Sequence, residues 1–505
     1  MIPPPANVPE DPAHRKPRME QDGPETTRPP RQPQAKRRRE RIFAISRGQS
    51  SRVDGGVHQP RKRLLGPHAT LVIGFLAIII AGTFLLMLPF ASTSGEVTSF
   101  ADSLFTSTSA TGTVGLVVVD TGTHWSMFGQ VVIIVLMEVG GMGFMAGTIL
   151  LFLALGRQLT LQQRRIFQES LVLRQVGGLP GIALRFLIFT LAVEGIGALL
   201  LYLQFRGDPA VGPDNAAWYA AFHAVSAFTG SGLDLMGGFQ SFQAQALQPF
   251  VLFTMAAMII PGDLGFLVVL DVLRHWRFHR LAMETKLILS LNYILWLAAA
   301  IGFLFLEWSN PATLGDMSVI HRVTNSLFQG ITVRNAGFST IDFGAVGSLT
   351  LMFFGIFMFI GAASASMGGG IKVNSLGALI AASRAGLLGR PHAEAFGRTI
   401  PADRVYVSVT LVLLFFGWII FCAPIVFAMQ IIDPDGLKTL FDTQSALSIV
   451  GLSTGVPTNL DAPGKLFLSL LMFVGRLGPL TVALALLRRS WPVSRQYPDG
   501  DLKVG

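Results

Sequence analysis

Long apolar runs alternate with short polar segments along most of this chain. A helix that spans a bilayer needs roughly 20 predominantly apolar residues. Eight stretches approach or exceed that length: 68–92, 127–155, 183–205, 249–273, 287–306, 349–362, 405–432 and 466–487. The pattern therefore predicts an all-α polytopic membrane protein.

Composition excludes a soluble protein and argues against several other classes. The 505 residues are 51% hydrophobic and 14% charged, whereas about a quarter of residues are charged in soluble domains. The net charge of +9 does not indicate nucleic-acid binding, because the basic residues flank the apolar runs. The single cysteine, Cys422, lies inside an apolar run, so we expect a buried residue without a disulfide. No GxxxxGK(S/T) or GxGxxG nucleotide-binding motif and no HExxH metalloprotease motif is present, so an enzyme is not expected.

The distribution of basic residues predicts the topology. Lys and Arg concentrate in 1–65, 157–174, 274–286, 384–404 and 488–503, whereas they are scarce in the linkers 91–103, 207–217, 307–316 and 433–440. The positive-inside rule places the basic segments and both termini in the cytoplasm. We therefore predict eight full spans in the cell membrane, arranged as four hairpins.

These hairpins divide the chain into four tandem repeats between two tails. The repeats cover 66–156, 157–274, 275–383 and 384–490, and a cytoplasmic tail covers 491–505. Residues 1–65 hold fifteen basic residues against seven acids and are rich in Pro, Gln and Ser, which predicts a disordered cytoplasmic tail. Contact of this tail with anionic membrane lipid is compatible with that prediction.

Between the two spans of each repeat lies a short polar segment with an aligned glycine. The four glycines are Gly115, Gly232, Gly337 and Gly451, and each is followed by Leu or Phe. A turn between helices would explain one such segment alone. Four aligned segments instead favour re-entrant pore loops, because irregular backbone is tolerated at membrane depth where it lines water.

A pore loop of this kind is suited to binding a cation. A half-helix points its negative C-terminal end at the cavity, and glycine allows the carbonyls after it to face the axis. Four loops around one pseudo-four-fold pore would form rings of carbonyl oxygens that replace the hydration shell of potassium. The predicted selectivity filter consists of Thr113, Val114, Gly115, Gly230, Ser231, Gly232, Asn335, Ala336, Gly337, Ile449, Val450 and Gly451. Potassium would be bound by the backbone carbonyls of the four aligned glycines.

Five runs of residues carry a resemblance to a known family. They are GLVVVDT at 115–121, FHAVSAF at 222–228, RNAGFSTID at 334–342, VGLSTG at 450–455 and GRLGPLT at 475–481. The chain resembles the Trk/Ktr/HKT superfamily of potassium transporters over about residues 66–490, most closely the bacterial KtrB-type membrane subunit. The Trk branch usually has two further N-terminal spans, and the direct passage from the tail into the first repeat favours the Ktr branch.

The resemblance implies further properties of the site and its partners. In the family the aligned glycines are filter residues, and serine at the first marks sodium-preferring members, so Gly115 favours potassium. The family implies a homodimer with one pore per chain and a cytosolic ring of RCK-type nucleotide-binding subunits, with no cofactor in this chain. Sodium-coupled symport remains an alternative to channel-like conduction. An inverted-repeat transporter is disfavoured because every predicted repeat begins and ends inside.

A glycine-rich break interrupts the second span of the third repeat. An interior glycine costs a helix roughly 1 kcal/mol relative to alanine, so the break is either a flexible kink or, as the resemblance implies, an intramembrane loop that gates the pore. The predicted gate consists of Gly361, Ser364, Ser366, Gly368, Gly369, Gly370 and Arg476. The hydroxyls of Ser364 and Ser366 could satisfy freed backbone groups, and Lys372 is interpreted as a snorkelling anchor.

Alignment of the second spans places Gly141, Asp263 and Arg476 at equivalent positions. The family more usually has glycine at the position of Asp263, and an acid within the membrane is costly unless it is paired. One hypothesis pairs Asp263 with Arg476 across the cavity below the filter. The alternative is that Asp263 bonds to the backbone of a neighbouring helix. In the same span as Gly141, Glu138 is either a second buried partner or a protonated acid.

Other polar residues near the glycines are predicted to support the pore loops or to act on cations through their charge. We expect His223 to form a hydrogen bond behind its loop, and Arg334 to pack behind the filter. Asp120, Asp234 and Asp342 follow filter glycines, so they either concentrate cations at the outer mouth through their field or are solvated surface acids.

Overall fold

The computed structural model of the chain describes residues 67–142, 179–364, 366–432 and 434–478. All of these belong to one unit, Leu65–Gly505. The tails predicted at 1–65 and 491–505 and the basic linker at 157–174 lie outside the described residues.

Fifteen α-helices occur within the described residues, in four successive sets. Each set begins with a long apolar helix and continues with a short helix, a loop and a second apolar helix. The first set comprises α1 (Pro67–Leu86), α2 (Phe100–Gly112), α3 (Thr121–His124) and α4 (Met127–Gly141), and the second comprises α5 (Leu179–Phe205), α6 (Ala216–Thr229), α7 (Pro249–Leu264) and α8 (Phe266–Arg274). The third comprises α9 (Met283–Leu306), α10 (Val319–Thr332), α11 (Ser348–Phe359) and α12 (Val373–Leu387), and the fourth comprises α13 (Ala402–Ala428), α14 (Gly436–Ser448) and α15 (Ala462–Leu477).

Local sequence explains where several of these helices begin. The side chain of Ser99 accepts a hydrogen bond from the backbone N–H of Asp102 at the start of α2. Asp435 caps α14 in the same way, and Asp461 caps α15. These caps satisfy backbone donors that have no partner in the first turn of a helix.

Several helices are long and apolar enough to cross a membrane. Within the described residues these are Leu184–Phe205, Met283–Leu306 and Ala402–Ala428, and shorter apolar helices are Val72–Leu86, Met127–Gly141 and Ser348–Phe359. Large apolar side chains such as Phe305 and Phe421 are exposed on them. A surface of this kind suits lipid rather than water, so the chain is embedded in a membrane.

The structure departs from the sequence prediction in the second set. The apolar run at 249–273 was predicted to be a single span, but α7 and α8 meet at an angle of 98°. The bend occurs at Gly265, whose φ of +79° lies in a region that favours glycine. Gly265 therefore ends α7 and starts α8 in a new direction.

A second departure from the all-α prediction lies between α12 and α13. Two short strands, β1 (Glu394–Ala395) and β2 (Arg398–Thr399), pair antiparallel. Phe396 and Gly397 between them both have positive φ values, 48° and 73°, as tight hairpin turns require. The predicted boundary between the third and fourth repeats, at 383/384, falls inside α12.

The sets are packed so that the fourth meets the first. Each short helix packs against the long helix that precedes it, and α15 packs against α2. Lys465 on α15 forms a 2.7 Å ion pair with Asp102 on α2, and both side chains are largely buried. This arrangement brings the four loops that follow the short helices to the middle of the unit.

Candidate functional site

The loops after the four short helices contain every residue of the predicted filter. We call residues 113–115, 230–232, 335–337 and 449–451 the glycine loops. In three of them the first residue has a left-handed backbone, with φ of 54° at Thr113, 68° at Gly230 and 60° at Ile449. A left-handed residue stops a helix and turns the chain away from its axis, which releases each loop into an extended path.

The four glycines follow one another around a closed ring. A Cβ added to Gly115 would lie 2.5 Å from the carbonyl oxygen of Ser231, and one added to Gly232 would lie 2.5 Å from that of Ala336. A Cβ on Gly337 would lie 2.6 Å from the carbonyl oxygen of Val450. One on Gly451 would meet the carbonyl oxygen of Val114, which completes the circuit.

Side-chain hydroxyls of the short helices support these loops. The backbone N–H of Gly115 donates to Ser109 Oγ at 3.1 Å, and that of Gly451 donates to Ser445 Oγ at 3.0 Å. In the second set Ser226 Oγ donates to the carbonyl of Leu233 at 2.6 Å. The sequence analysis missed these serines, although each lies six residues before its glycine. That shared spacing was the available signal.

Buried polar groups behind the second and fourth glycine loops form hydrogen bonds with the backbone segments that follow these loops. The N–H of Leu235 donates to His223 Nε2 at 3.1 Å, and His223 Nδ1 lies 2.7 Å from the carbonyl of Tyr219. The hydrogen bond predicted behind this loop is therefore present. In the fourth set the carboxylate of Asp442 accepts from the N–H groups of Thr454, at 2.8 Å, and Val456, at 3.0 Å.

The acids predicted near the outer mouth are engaged with backbone. Asp120 accepts from the N–H of Thr123 and of Phe239, each at 2.9 Å, and so joins the first and second sets. Asp234 accepts from Met236 N at 2.9 Å, and Asp342 accepts from Gly344 N at 2.7 Å. These bonds fix local turns, and attraction of cations by the acids stays a prediction.

An irregular segment, described at residues 361–364 and 366–370, separates α11 from α12; we call it the intramembrane loop. It is attached to the bend of the second set, because Ala363 N donates to the carbonyl of Asp263 at 3.2 Å and Met367 N donates to that of Gly262 at 3.3 Å. Ser366 Oγ donates to the carbonyl of Ala363 at 2.6 Å, as predicted for a hydroxyl in this break. Ser364 lies in the same turn, and its N–H donates to Asn374 Oδ1 at 3.3 Å.

One buried and two half-buried cationic side chains donate to carbonyls in or next to this segment. Arg334 donates to the carbonyl of Gly361 at 2.6 Å and to that of Ile360 at 3.2 Å. Lys372 donates to the carbonyl of Gly368. Arg476 donates to the carbonyl of Met367 as well as to Thr113 Oγ1 at 2.9 Å. Arg334 thus joins the third glycine loop to the intramembrane loop, and Arg476 joins the first glycine loop to it.

The intramembrane loop lies directly against the glycine loops. A Cβ on Gly368 would lie 2.5 Å from Asn335 Oδ1, and one on Gly369 would lie 2.7 Å from the carbonyl oxygen of Ser448. Gly370 has a φ of +67° and passes close to Gly361. Side chains at these positions would force the two structures apart.

The structure supports the alignment of the second spans. Gly140, Gly262 and Gly475 each pack against a carbonyl near the end of a short helix, those of Thr111, Phe228 and Leu447 respectively. The next residues in the chain are Gly141, Asp263 and Arg476, so these three do occupy equivalent places.

The hypothesised pair between Asp263 and Arg476 is not formed. Asp263 is fully buried, and its Oδ1 accepts from Asn335 Nδ2 at 2.7 Å. Arg476 already donates to Thr113, Met367 and Gly140. Each group is engaged by the loop beside it, and the charges that act on Asp263 are those of Arg334 and Lys372. The alternative was a hydrogen bond between the Asp263 side chain and the backbone of a neighbouring helix. Among the described residues the structure does not have this bond either.

Comparison with known proteins gives a family match for most of the chain. The family model TrkH, described as cation transport protein, matches residues 42–491. The chain belongs to this cation transport family. The match confirms the resemblance to the Trk/Ktr/HKT superfamily that was inferred from the five sequence runs.

Individual relatives agree with this assignment to the TrkH family. The chain is 36% identical over 445 residues to the Ktr system potassium uptake protein B of Bacillus subtilis, covering 87% of this chain and 97% of the relative. It is 34% identical over 452 residues to the potassium/sodium uptake protein NtpJ of Enterococcus hirae, covering 88% and 98%. The crystal structure of the potassium transporter TrkH from Vibrio parahaemolyticus matches with a TM-score of 0.66 at 18% identity, covering 85% of this chain and 86% of that one. The last match shows a shared fold.

In this TrkH-family chain, Asp263 offers a test of how the third glycine loop is held. Asp263→Ala removes the acceptor of Asn335 and should destabilise the protein by about 1–3 kcal/mol, since a buried donor loses its partner. Asp263→Asn retains an acceptor oxygen and should keep most of the stability. Thermal unfolding midpoints of both variants in detergent would measure this, with the exposed Asp403→Ala as control.

The two Asp263 variants separate the hydrogen bond from the charge. Equal losses in Asp263→Ala and Asp263→Asn would assign the effect to the charge that faces Arg334 and Lys372. An unchanged midpoint in Asp263→Ala would contradict a supporting role for the hydrogen bond to Asn335.

Proposed function

We propose that this chain is the membrane subunit of a potassium uptake system and conducts potassium through a filter formed by the four glycine loops. The observation that carries the proposal is the closed ring of Gly115, Gly232, Gly337 and Gly451, in which each loop lies against the next. Each short helix ends at its loop, so the negative end of its dipole is directed at the ring. The carbonyls of the four glycines would take the place of water around a dehydrated potassium ion.

The proposed architecture is four repeats around one pore, with eight spans and both termini in the cytoplasm. The four successive helix sets and their apolar helices support the repeats and the spans. The orientation rests on the positive-inside rule, since the basic segments alternate with linkers poor in Lys and Arg. In this orientation the glycine loops are reached from outside and the intramembrane loop from the cytoplasm.

The proposed gate is the intramembrane loop together with Arg476. It lies against Asn335 and the end of α14, directly beneath the glycine loops. Lys372 and Arg476 donate to its carbonyls, so positive charge is held next to the proposed path and opposes passage of a cation. Opening would require these carbonyls to be released or the loop to move with its charges.

The proposed partners are a second copy of the chain and a cytosolic ring of RCK-type subunits that bind nucleotide. The proposal rests on the family resemblance and on the name of the Bacillus subtilis relative, which is one protein of a Ktr system. No cofactor is proposed within this chain. Sodium coupling is a second candidate, since the Enterococcus hirae relative is named a potassium/sodium uptake protein.

Growth of potassium-auxotrophic cells that express the full chain tests the proposal. We expect the wild type to rescue growth at low potassium and Gly115→Ser to lose rescue or shift towards sodium, because the added side chain would enter the ring at the carbonyl of Ser231. The assay is run with and without external sodium. Rescue that requires sodium would favour coupling or sodium activation, and rescue unaffected by Gly115→Ser would refute the filter assignment.

A further inference from the structure

Two acidic residues, one in the first helix set and one in the second, have buried carboxyl oxygens. Glu138 lies on α4 and Glu194 on α5, and Glu194 is 6% exposed. Both helices are largely apolar and belong to the membrane-embedded unit. An acid at such a position is costly, and acids within membranes commonly mark ion sites or proton relays.

The two acids lie at matching distances along their helices. Glu138 lies eleven residues after Met127, the first residue of α4, and Glu194 lies eleven residues before Phe205, the last residue of α5. At 1.5 Å per residue, Glu138 is roughly 16 Å from the first residue of α4, and Glu194 is roughly 16 Å from the last residue of α5. The two carboxyl groups are close enough to influence each other's charge. The pair therefore connects a helix of the first set with a helix of the second.

The carboxyl groups of Glu138 and Glu194 have more buried oxygen atoms than hydrogen-bond partners. Both carboxyl oxygens of Glu138 and Oε1 of Glu194 are buried, and none has a hydrogen-bond partner that satisfies it. Thr190 lies one turn before Glu194 on the same face of α5, is fully buried, and its Oγ1 also has no partner. Among the described residues no basic side chain lies within ion-pair distance of either acid. A cluster of this kind in a low-dielectric interior must be neutralised, either by protons or by a bound cation.

A shared proton alone accounts for the cluster poorly. One proton bridges two oxygens and leaves the other carboxyl oxygen of Glu138 and the hydroxyl of Thr190 unsatisfied. A metal cation can contact all of them at once. The donors are all oxygen, which suits a hard cation rather than a transition metal. Calcium takes six to eight oxygens and magnesium gives up its water reluctantly, so a small monovalent cation fits four donors best.

We propose that Glu138, Glu194 and Thr190 form a binding site for one sodium ion between the first two helix sets, separate from the glycine loops. With one of the two carboxyl groups protonated, a sodium ion makes the site electrically neutral. The bound ion would link α4 to α5 and stabilise their packing. The site does not depend on the proposed filter, because none of its residues contributes to the ring of glycines.

The test uses the purified full-length chain in detergent at constant ionic strength and saturating potassium. Replacing choline by sodium should raise the thermal unfolding midpoint of the wild type, because a ligand that binds only the folded state stabilises it. Glu138→Gln combined with Glu194→Gln should lose this sodium increment and keep the rise in midpoint that potassium gives when it replaces choline in a separate, sodium-free series. The exposed Glu96→Gln serves as the matched control and should keep both.

Direct binding keeps the proposal testable if the double variant does not fold. Titration of the wild type with radioactive sodium in saturating potassium should give one site per chain, and Thr190→Val should weaken the apparent affinity several-fold. An unchanged sodium increment in the double variant would overturn the site. A wild type that shows no sodium increment but whose midpoint depends on pH would overturn it in favour of a shared proton. Absence of the potassium increment would instead count against the proposed filter, so the two proposals can fail separately.

Discussion

Replacement of Gly232 by alanine should reduce potassium uptake by roughly two orders of magnitude. Gly232 has a φ of +70°, and an added Cβ would lie 2.5 Å from the carbonyl oxygen of Ala336 and 3.0 Å from the Cα of Gly337. Both atoms belong to the backbone of the next glycine loop, so no side chain can rotate away. An overpacking cost of about 3 kcal/mol, if relieved by displacing the loops, corresponds to a roughly hundredfold change in rate.

The matched control for Gly232→Ala is Gly95→Ala. Gly95 has nearly the same φ, +73°, but nothing lies within 4 Å of an added Cβ. It carries the same backbone penalty without the collision. We expect Gly95→Ala to retain most uptake when both variants are compared at equal amounts of membrane protein. Similar losses in the two variants would mean that backbone strain, rather than the close approach of two loops, explains the effect of Gly232→Ala.

The glycine loops were predictable from sequence because the pattern occurs four times. One polar segment with a glycine is ambiguous, but four with the same place between apolar spans identify a ring before any coordinates are known. The serines that support the ring were predictable in principle. Ser109, Ser226 and Ser445 share their spacing to the following glycine. The third set has no serine at this position, so a search for residues identical in all four sets does not find them.

The partner of Asp263 was not predictable from the same alignment. Alignment gives the place of a residue within its own repeat, and in that respect Asp263 and Arg476 are equivalent. Bond formation depends on which loop of another repeat lies beside each place. Asp263 is beside Asn335, whereas Arg476 is beside Thr113 and Met367. The bend at Gly265 was also not predictable from sequence, because hydropathy is continuous across it and only the backbone angle shows the break.

Loss of Arg334 should be among the most damaging single changes in this chain. The guanidinium is fully buried and donates to the carbonyls of Ile360 and Gly361 and to Asn292 Oδ1. Arg334→Leu would leave two buried acceptors and one half-buried acceptor without this donor, at about 1–3 kcal/mol for each buried one. A total of several kcal/mol is a large part of the roughly 5–15 kcal/mol that stabilises a typical folded protein. We therefore expect a loss of correctly folded protein in detergent, measured by size-exclusion profile and unfolding midpoint.

Arg404→Leu is the control, because Arg404 is 73% exposed and its ion pair lies at the surface. A surface change of this kind should alter stability by no more than about 0.5 kcal/mol. If Arg334→Leu were as stable as Arg404→Leu, the carbonyls of Ile360 and Gly361 would have other donors, and the attachment of the intramembrane loop to the third glycine loop would be wrong.

Arg334→Lys separates the charge from the hydrogen bonds. Lysine keeps the positive charge opposite Asp263, but its single ammonium group cannot reproduce the planar fork that serves Ile360, Gly361 and Asn292 together. We expect a variant that folds, with a lower unfolding midpoint than the wild type and altered potassium uptake, because the intramembrane loop would be held at fewer points. Full wild-type uptake and stability in Arg334→Lys would show that charge alone is required. In that case the hydrogen bonds of the guanidinium would not be needed. The electrostatic attraction between Arg334 and Asp263 would then be what holds the third glycine loop to the intramembrane loop.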